Sequence, residues 1–179
     1  MANLSNELFE AMIYDSYIAW KSILQSNPNI TELLGYLEHC DNLSRRLKEI
    51  RLGLENDLTL EQIKIYARPE FDYSQMSVIR SGLVSEFTQE QISRYARPEF
   101  SGRQMAQIFW GYRMGLTEEQ ILEYAEPNLD VDEMDDIRWK YMIQLTEEQI
   151  QVRSAIIARK NIIYQNKIDS LKSLIDNTK

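Results

Sequence analysis

Apolar and polar positions along this chain follow one pattern that returns every 29 residues. Each of the first three copies opens with a Thr-x-Glu-Gln-Ile string, continues with Tyr-Ala and a proline, and closes with an apolar residue, a methionine and an isoleucine. Repetition at such constant spacing predicts tandem helix–turn–helix units. The opening threonines are Thr59, Thr88, Thr117 and Thr146, and the first unit continues with Tyr66, Ala67, Pro69, Phe71, Met76 and Ile79.

Two short helices are predicted in each unit. Thr59 can cap the first helix while Gln62, three residues on, returns a bond to the cap. Pro69 ends this helix, because the residue before a proline avoids the α region. Asp72 and Gln75 repeat the capping pattern at the start of the second helix. The same capping roles fall to Thr88, Ser101, Thr117 and Asp130 in the following units.

A glycine near the end of each second helix is predicted to stop that helix in a left-handed conformation. These glycines are Gly53, Gly82 and Gly111, and Lys140 stands at the same place in the next unit. Helices of fewer than about 12 residues are marginal in isolation, so the apolar positions have to pack on neighbouring units. The pattern therefore predicts an all-α protein whose units stack into a short helix–turn–helix solenoid.

Three regions are expected along the chain. Residues 1–42 form an N-terminal helical cap with a degenerate first unit, residues 43–145 hold the 29-residue repeats, and residues 146–179 form one long C-terminal helix. Within the first region, apolar residues over 5–26 recur at helical spacing and predict an amphipathic helix. Residues 31–54 keep only part of the repeat pattern, so the array is expected to have a distinct cap at each end.

The long C-terminal helix is predicted because the fourth unit has Ile156 where the other units carry proline. Without that proline, the helix is expected to run unbroken from about residue 147 to residue 176. Its apolar stripe recurs every seven residues, a pattern typical of helices that pair, so a homodimer through this helix is one expectation. The stripe consists of Ile150, Ile157, Tyr164 and Leu171, joined by Ile168 and Ile175.

Composition narrows the class of protein. A chain of 179 residues with 44% hydrophobic and 27% charged residues is typical of a folded globular protein. No apolar run of about 18 residues is present and the N-terminal residues do not resemble a secretion signal, so we expect a cytoplasmic protein without a membrane span. A single cysteine, Cys40, excludes an intrachain disulfide.

Net charge is unevenly distributed. Residues 114–150 carry 2 Lys or Arg against 11 Asp or Glu, a net charge of −9, whereas residues 151–179 carry 6 against 2, a net charge of +4. The densest acidic run, named the acidic patch, is either a solvated helix start or an anionic surface that imitates DNA phosphates in a basic groove. It lacks the glycine and the spaced glutamate of a calcium loop, so no metal site is predicted. The acidic patch comprises Asp130, Asp132, Glu133, Asp135 and Asp136.

Several cationic and aromatic residues are candidates for contacts with a partner. Arg68 and Arg97 occupy the same loop of consecutive units, where arginine suits either a partner's acidic groups or a local ion pair with the nearby glutamate. Trp110 and Arg113 belong either to the packing between units or to an exposed hot spot. The densest basic cluster is either a solvated helix face or a nucleic-acid contact surface. It consists of Arg45, Arg46, Lys48 and Arg51.

The titratable residues do not suggest an active site. His39 and Cys40 are the only pair with nucleophilic potential, but neighbours on one helix point away from each other and no orienting group is evident. We therefore expect a buried cysteine beside a partly exposed histidine. Neither catalysis nor a cofactor is predicted.

The repeat resembles a family of short-repeat proteins found in Firmicutes, their phages and their mobile elements. The resemblance rests on Leu-Thr-x-Glu-Gln-Ile-x-x-Tyr-Ala-x-Pro-x-Phe at Leu58–Phe71 and Gln-Met-x-x-Ile-Arg-x-Gly at Gln75–Gly82, and it extends over residues 43–150. Some small phage proteins that look similar inhibit type II CRISPR effector nucleases. The resemblance therefore implies a protein partner, a CRISPR nuclease with its guide RNA, and it carries no functional residues over to this sequence.

Three function classes stay open. The first is a non-enzymatic protein-binding repeat, whose specific form is an inhibitor that blocks target DNA binding or cleavage by a type II RNA-guided CRISPR nuclease in the bacterial host cell. The second is a nucleic-acid-binding or regulatory helical protein that uses the basic cluster, and the third is a structural homo-oligomer. The expected contact residues of the first class are the acidic patch with Arg68, Arg97, Trp110 and Arg113.

Overall fold

The computed structural model describes residues 6–26 and 29–143 and, beyond them, six single positions between residues 151 and 165, all helical. Throughout this part of the chain the secondary structure consists of helices joined by turns and short loops, without a β-strand, which confirms the all-α prediction. None of the described helices is both long and apolar enough to cross a membrane. The helices are α1 Asn6–Ser26, α2 Ile30–Gly35, α3 Leu43–Glu55, α4 Leu60–Tyr66, α5 Tyr73–Val84, α6 Gln89–Tyr95, α7 Gly102–Met114, α8 Glu118–Leu122 and α9 Val131–Ile143.

The predicted helix caps are present in the described part of the chain. The Thr59 hydroxyl accepts a hydrogen bond from the Gln62 backbone N–H at 3.3 Å, and the Gln62 side chain accepts one from the Thr59 backbone N–H at 2.9 Å. This pair of bonds satisfies the backbone N–H of the cap residue Thr59. It also satisfies the N–H of Gln62, which has no partner within the helix because it lies in the first turn. Thr146 lies outside the described residues. The other confirmed caps are Asp72, Thr88, Ser101, Thr117 and Asp130.

The prediction that a glycine stops each second helix is wrong. The glycines lie inside α3, α5 and α7, and a left-handed residue follows each of them four positions later. In α5 the backbone N–H of Phe87 bonds to the carbonyl of Gly82 at 3.1 Å, and α3 and α7 end in the same way. This is the Schellman arrangement, with the glycine as an ordinary helical residue. The left-handed residues are Asp57 after Gly53, Glu86 after Gly82, and Gly115 after Gly111.

Each of these glycines instead admits a tyrosine from the next unit. A Cβ atom at Gly82 would overlap the hydroxyl oxygen of Tyr95. Tyr66 donates to the Glu49 carbonyl at 3.1 Å, whereas the Tyr95 hydroxyl has no hydrogen-bond partner among the described residues. The tyrosines are fully buried, and burial raises the pKa of each hydroxyl. The pairs are Gly53–Tyr66, Gly82–Tyr95 and Gly111–Tyr124.

A side chain on each of α3, α5 and α7 also reaches the loop of the following unit. The amide of Gln104 donates to the carbonyls of Pro127 and Leu129 at 3.0 and 2.7 Å, and Gln75 makes the equivalent bonds one unit earlier. Arg46 takes this place on α3, where its buried guanidinium donates to the next loop. Both alternatives for the basic cluster, a solvated helix face and a nucleic-acid contact surface, therefore fail for Arg46.

The second helices pack against one another in chain order. α1 contacts α3, α3 contacts α5, α5 contacts α7, and α7 contacts α9. Ion pairs support this order, with Arg51 on α3 bonded to Asp15 on α1 at 2.7 Å and Arg80 on α5 bonded to Glu49 on α3 at 2.8 Å. α1 therefore stands where the second helix of a preceding unit would stand.

Two further expectations fail in the N-terminal region. The helix expected over 5–26 is interrupted at Ser16, whose backbone is extended, with φ −176° and ψ 95°. His39 and Cys40 lie in the turn between α2 and α3 instead of on one helix, with His39 exposed and Cys40 half-buried. The expected buried cysteine is thus only partly covered by the core.

Candidate protein-interaction surface

The second helices each carry a stripe of residues spaced four apart, on the side away from their buried residues. Residues four apart lie on one face of a helix, so each stripe is a continuous surface. The stripe of α5 is serine throughout, whereas those of α7 and α9 have at their centres Trp110, 44% exposed, and Trp139, 51% exposed. The stripes are Ser77 and Ser81 with the C-cap Ser85 on α5, Ala106, Trp110 and Met114 on α7, and Asp135, Trp139 and Ile143 on α9.

Stripes of neighbouring helices lie side by side. α7 packs against both α5 and α9, and the Arg113 guanidinium on α7 donates to the hydroxyl of Ser85, the C-cap residue of α5, at 3.2 Å. Trp110 and Trp139 are 29 residues apart at the same position of consecutive units. They therefore project from adjacent helices whose axes are about 8–10 Å apart. We name the apolar set formed by Trp110, Met114, Trp139 and Ile143 the tryptophan ridge.

Cationic groups lie against both tryptophan rings. The guanidinium carbon of Arg113 is 5.8 Å from the ring centroid of Trp110, and that of Arg138 is 5.5 Å from the centroid of Trp139. Arg113 is exposed, whereas Arg138 is buried and donates to Gln107 on α7 at 3.0 Å. Trp110 and Arg113 are thus both exposed, while Trp110 also packs edge-on against Phe109 and Arg113 bonds to the preceding unit.

The acidic patch contains two kinds of carboxylate. Asp130 and Glu133 cap the start of α9 through reciprocal hydrogen bonds of 2.8 Å, and Asp135 forms an ion pair with an arginine of the same helix. Asp132 and Asp136 are exposed and have no ion pair within the part of the chain that the structure describes. Asp136 lies on the turn before the tryptophan of α9, so unpaired negative charge borders the ridge.

Arg68 and Arg97 are engaged within their own loops. They form ion pairs of 3.2 and 3.7 Å with Glu70 and Glu99, respectively. Each guanidinium also lies over the phenylalanine ring of its loop, and Arg68 lines a groove of about 620 Å³ between α2 and α4. The local ion pairs, one of the two alternatives that the sequence left open, are therefore present. Exposed pairs of this kind contribute under about 1 kcal/mol, so they leave both arginines within reach of a partner.

Two members of the basic cluster, Arg46 and Arg51, make their contacts within the fold. Arg46 is buried against the following loop, and the hydrogen bond to Asp15 raises the pKa of Arg51, so that it stays charged and paired. Arg45 and Lys48 are the exposed members, and Arg45 donates to the hydroxyl of Tyr73 at 2.7 Å. Among the described residues, no group of three or more His, Cys, Asp or Glu side chains is placed to hold a metal ion.

Sequence reasoning did not identify Trp139 as a candidate, although its signal was present. The residue stands 29 positions after Trp110, which places the two at one surface position of consecutive units. No protein-family model, no curated protein and no solved structure matches this chain. The assignment of the surface therefore rests on its geometry.

Proposed function

We propose that this chain is a non-enzymatic protein-binding module, a helical-repeat solenoid that presents the tryptophan ridge and the acidic patch to a partner. The solenoid is supported by contacts that recur from unit to unit, namely the glycine–tyrosine pairs and the glutamine bonds to the following loop. Units linked in this way bury their apolar faces against each other and form a stiff scaffold for a binding surface.

The observation that carries the proposal is the pair of half-exposed tryptophans beside unpaired carboxylates. Tryptophan is enriched among the residues that dominate binding energy, and here two of them lie at one position of adjacent helices. Asp132 and Asp136 place negative charge on the same helix as Trp139. A surface of this composition suits a partner that presents apolar groups together with lysine or arginine.

The specific form of the proposal is an inhibitor of a type II RNA-guided CRISPR nuclease. Such a nuclease holds nucleic acid in a positively charged channel. Carboxylates of the acidic patch would bind basic residues of that channel in place of DNA phosphates, and Arg68 and Arg97 would make secondary contacts. Target DNA would then be excluded, and the inhibition would weaken as salt rises because the contact is electrostatic.

Target-DNA cleavage and gel shift by a purified guide-loaded type II CRISPR nuclease, with and without a molar excess of this protein, test the proposal. We expect cleavage to be lost, and the gel shift to show whether DNA loading or a later step is blocked. The double variant Asp132→Lys and Asp136→Lys should inhibit at least about tenfold more weakly, because it reverses the unpaired charge and leaves the cap of α9 intact.

The matched control is the double variant Glu10→Lys and Asp41→Lys, which changes the formal net charge of −8 by the same amount at exposed sites outside the patch. It should inhibit like the unmodified protein. Equal inhibition by the patch variant would reject phosphate mimicry. Unimpaired cleavage by nucleases from several Firmicutes would reject the CRISPR form of the proposal, and a salt-sensitive shift of DNA by this protein alone would favour the nucleic-acid-binding alternative.

A further inference from the structure

We draw no further inference here: the strongest candidate, the exposed apolar face that the tryptophan ridge forms on α7 and α9, belongs to the surface already described, and nothing in the described part of the chain shows what covers it.

Discussion

α5 and α9 occupy the same place in their units, but their residues differ on the side that faces the following unit and on the outer side. Toward the following unit, α5 carries Gln75, which bonds to a loop, and Gly82, which admits a tyrosine. α9 has an exposed glutamate and an exposed lysine at those positions, and its outer side carries an exposed tryptophan where α5 has serine. α5 thus holds the following unit through two contacts, whereas α9 lacks the residues that make them and exposes a large aromatic side chain.

The largest loss of stability is expected when the close contact between Gly82 of α5 and Tyr95 of the next unit is blocked. Gly82→Ala should lower the free energy of unfolding by about 2–3 kcal/mol, because the new methyl group overlaps the Tyr95 hydroxyl and lies 2.7 Å from Ile92 Cδ1. The gain in helix propensity, about 1 kcal/mol, offsets only part of this cost. Urea denaturation followed by circular dichroism measures the change.

A second substitution sharpens this prediction. Tyr95→Phe removes the overlapping oxygen, which has no hydrogen-bond partner among the described residues, so Gly82→Ala with Tyr95→Phe should recover a large part of the lost stability. Gly35→Ala is the control, since a Cβ atom there meets nothing within 4 Å. If the double variant is as unstable as Gly82→Ala, the close approach of the tyrosine does not explain the glycine.

A smaller loss is expected from the contact with the following loop. Gln104→Ala should destabilise the fold by about 2 kcal/mol, because the carbonyls of Pro127 and Leu129 lose their donor and the Ser101 backbone N–H loses its acceptor. The exposed neighbour Arg103 should tolerate alanine within about 0.5 kcal/mol. Thermal unfolding of the two variants side by side checks the difference, and equal midpoints would contradict it.

The helix ends offer a gain of stability. Glu86 has a φ of 60°, a region that glycine adopts without strain, so Glu86→Gly should stabilise the protein by about 1 kcal/mol. Gly115 occupies the same position one unit later, and Gly115→Ala should cost about as much. Chemical denaturation of both variants tests the pair, and a change of the same sign in both would refute the explanation.

The smallest effect on stability is expected on the outer side of α9. Trp139→Ser introduces the residue that α5 carries at this position and removes a half-exposed ring with its contact to Arg138, so the free energy of unfolding should change by less than about 1 kcal/mol. The same denaturation assay measures it. A loss of several kcal/mol would show that the tryptophan is part of the core and would remove the basis for the binding surface.

The helix starts could be predicted because their determinants are local. Thr59 and Gln62 are three residues apart, and the hydrogen bonds between them need no information from the rest of the fold. The role of Gly53, Gly82 and Gly111 could not be predicted from neighbouring residues in the sequence. A left-handed turn and a close approach both favour glycine, and only the position of Tyr95 against Gly82 distinguishes the two.

The candidate site was predictable in part. The acidic patch and Trp110 were identified from composition and spacing, but sequence alone could not show which carboxylates the fold uses as caps and which it leaves unpaired. Arg46 was misassigned because a charged residue in a basic cluster is usually exposed. Arg46 stands 29 residues before Gln75, at the same position of the repeat. The loop to which it bonds is 25 residues away in sequence, so only the folded chain shows the contact.

The pairing of a glycine in one unit with a tyrosine in the next bears on how such a chain can change its length during evolution. Duplication or loss of one 29-residue period within residues 43–129 joins a unit that offers a glycine to one that offers a tyrosine. Loss of residues 72–100, for instance, would bring Phe71 next to Ser101, a residue that already caps a helix. No second mutation is needed to repair such a junction. The number of units can therefore change under selection. A period that contains Lys140 does not have this property, because Lys140 replaces the glycine that admits a tyrosine.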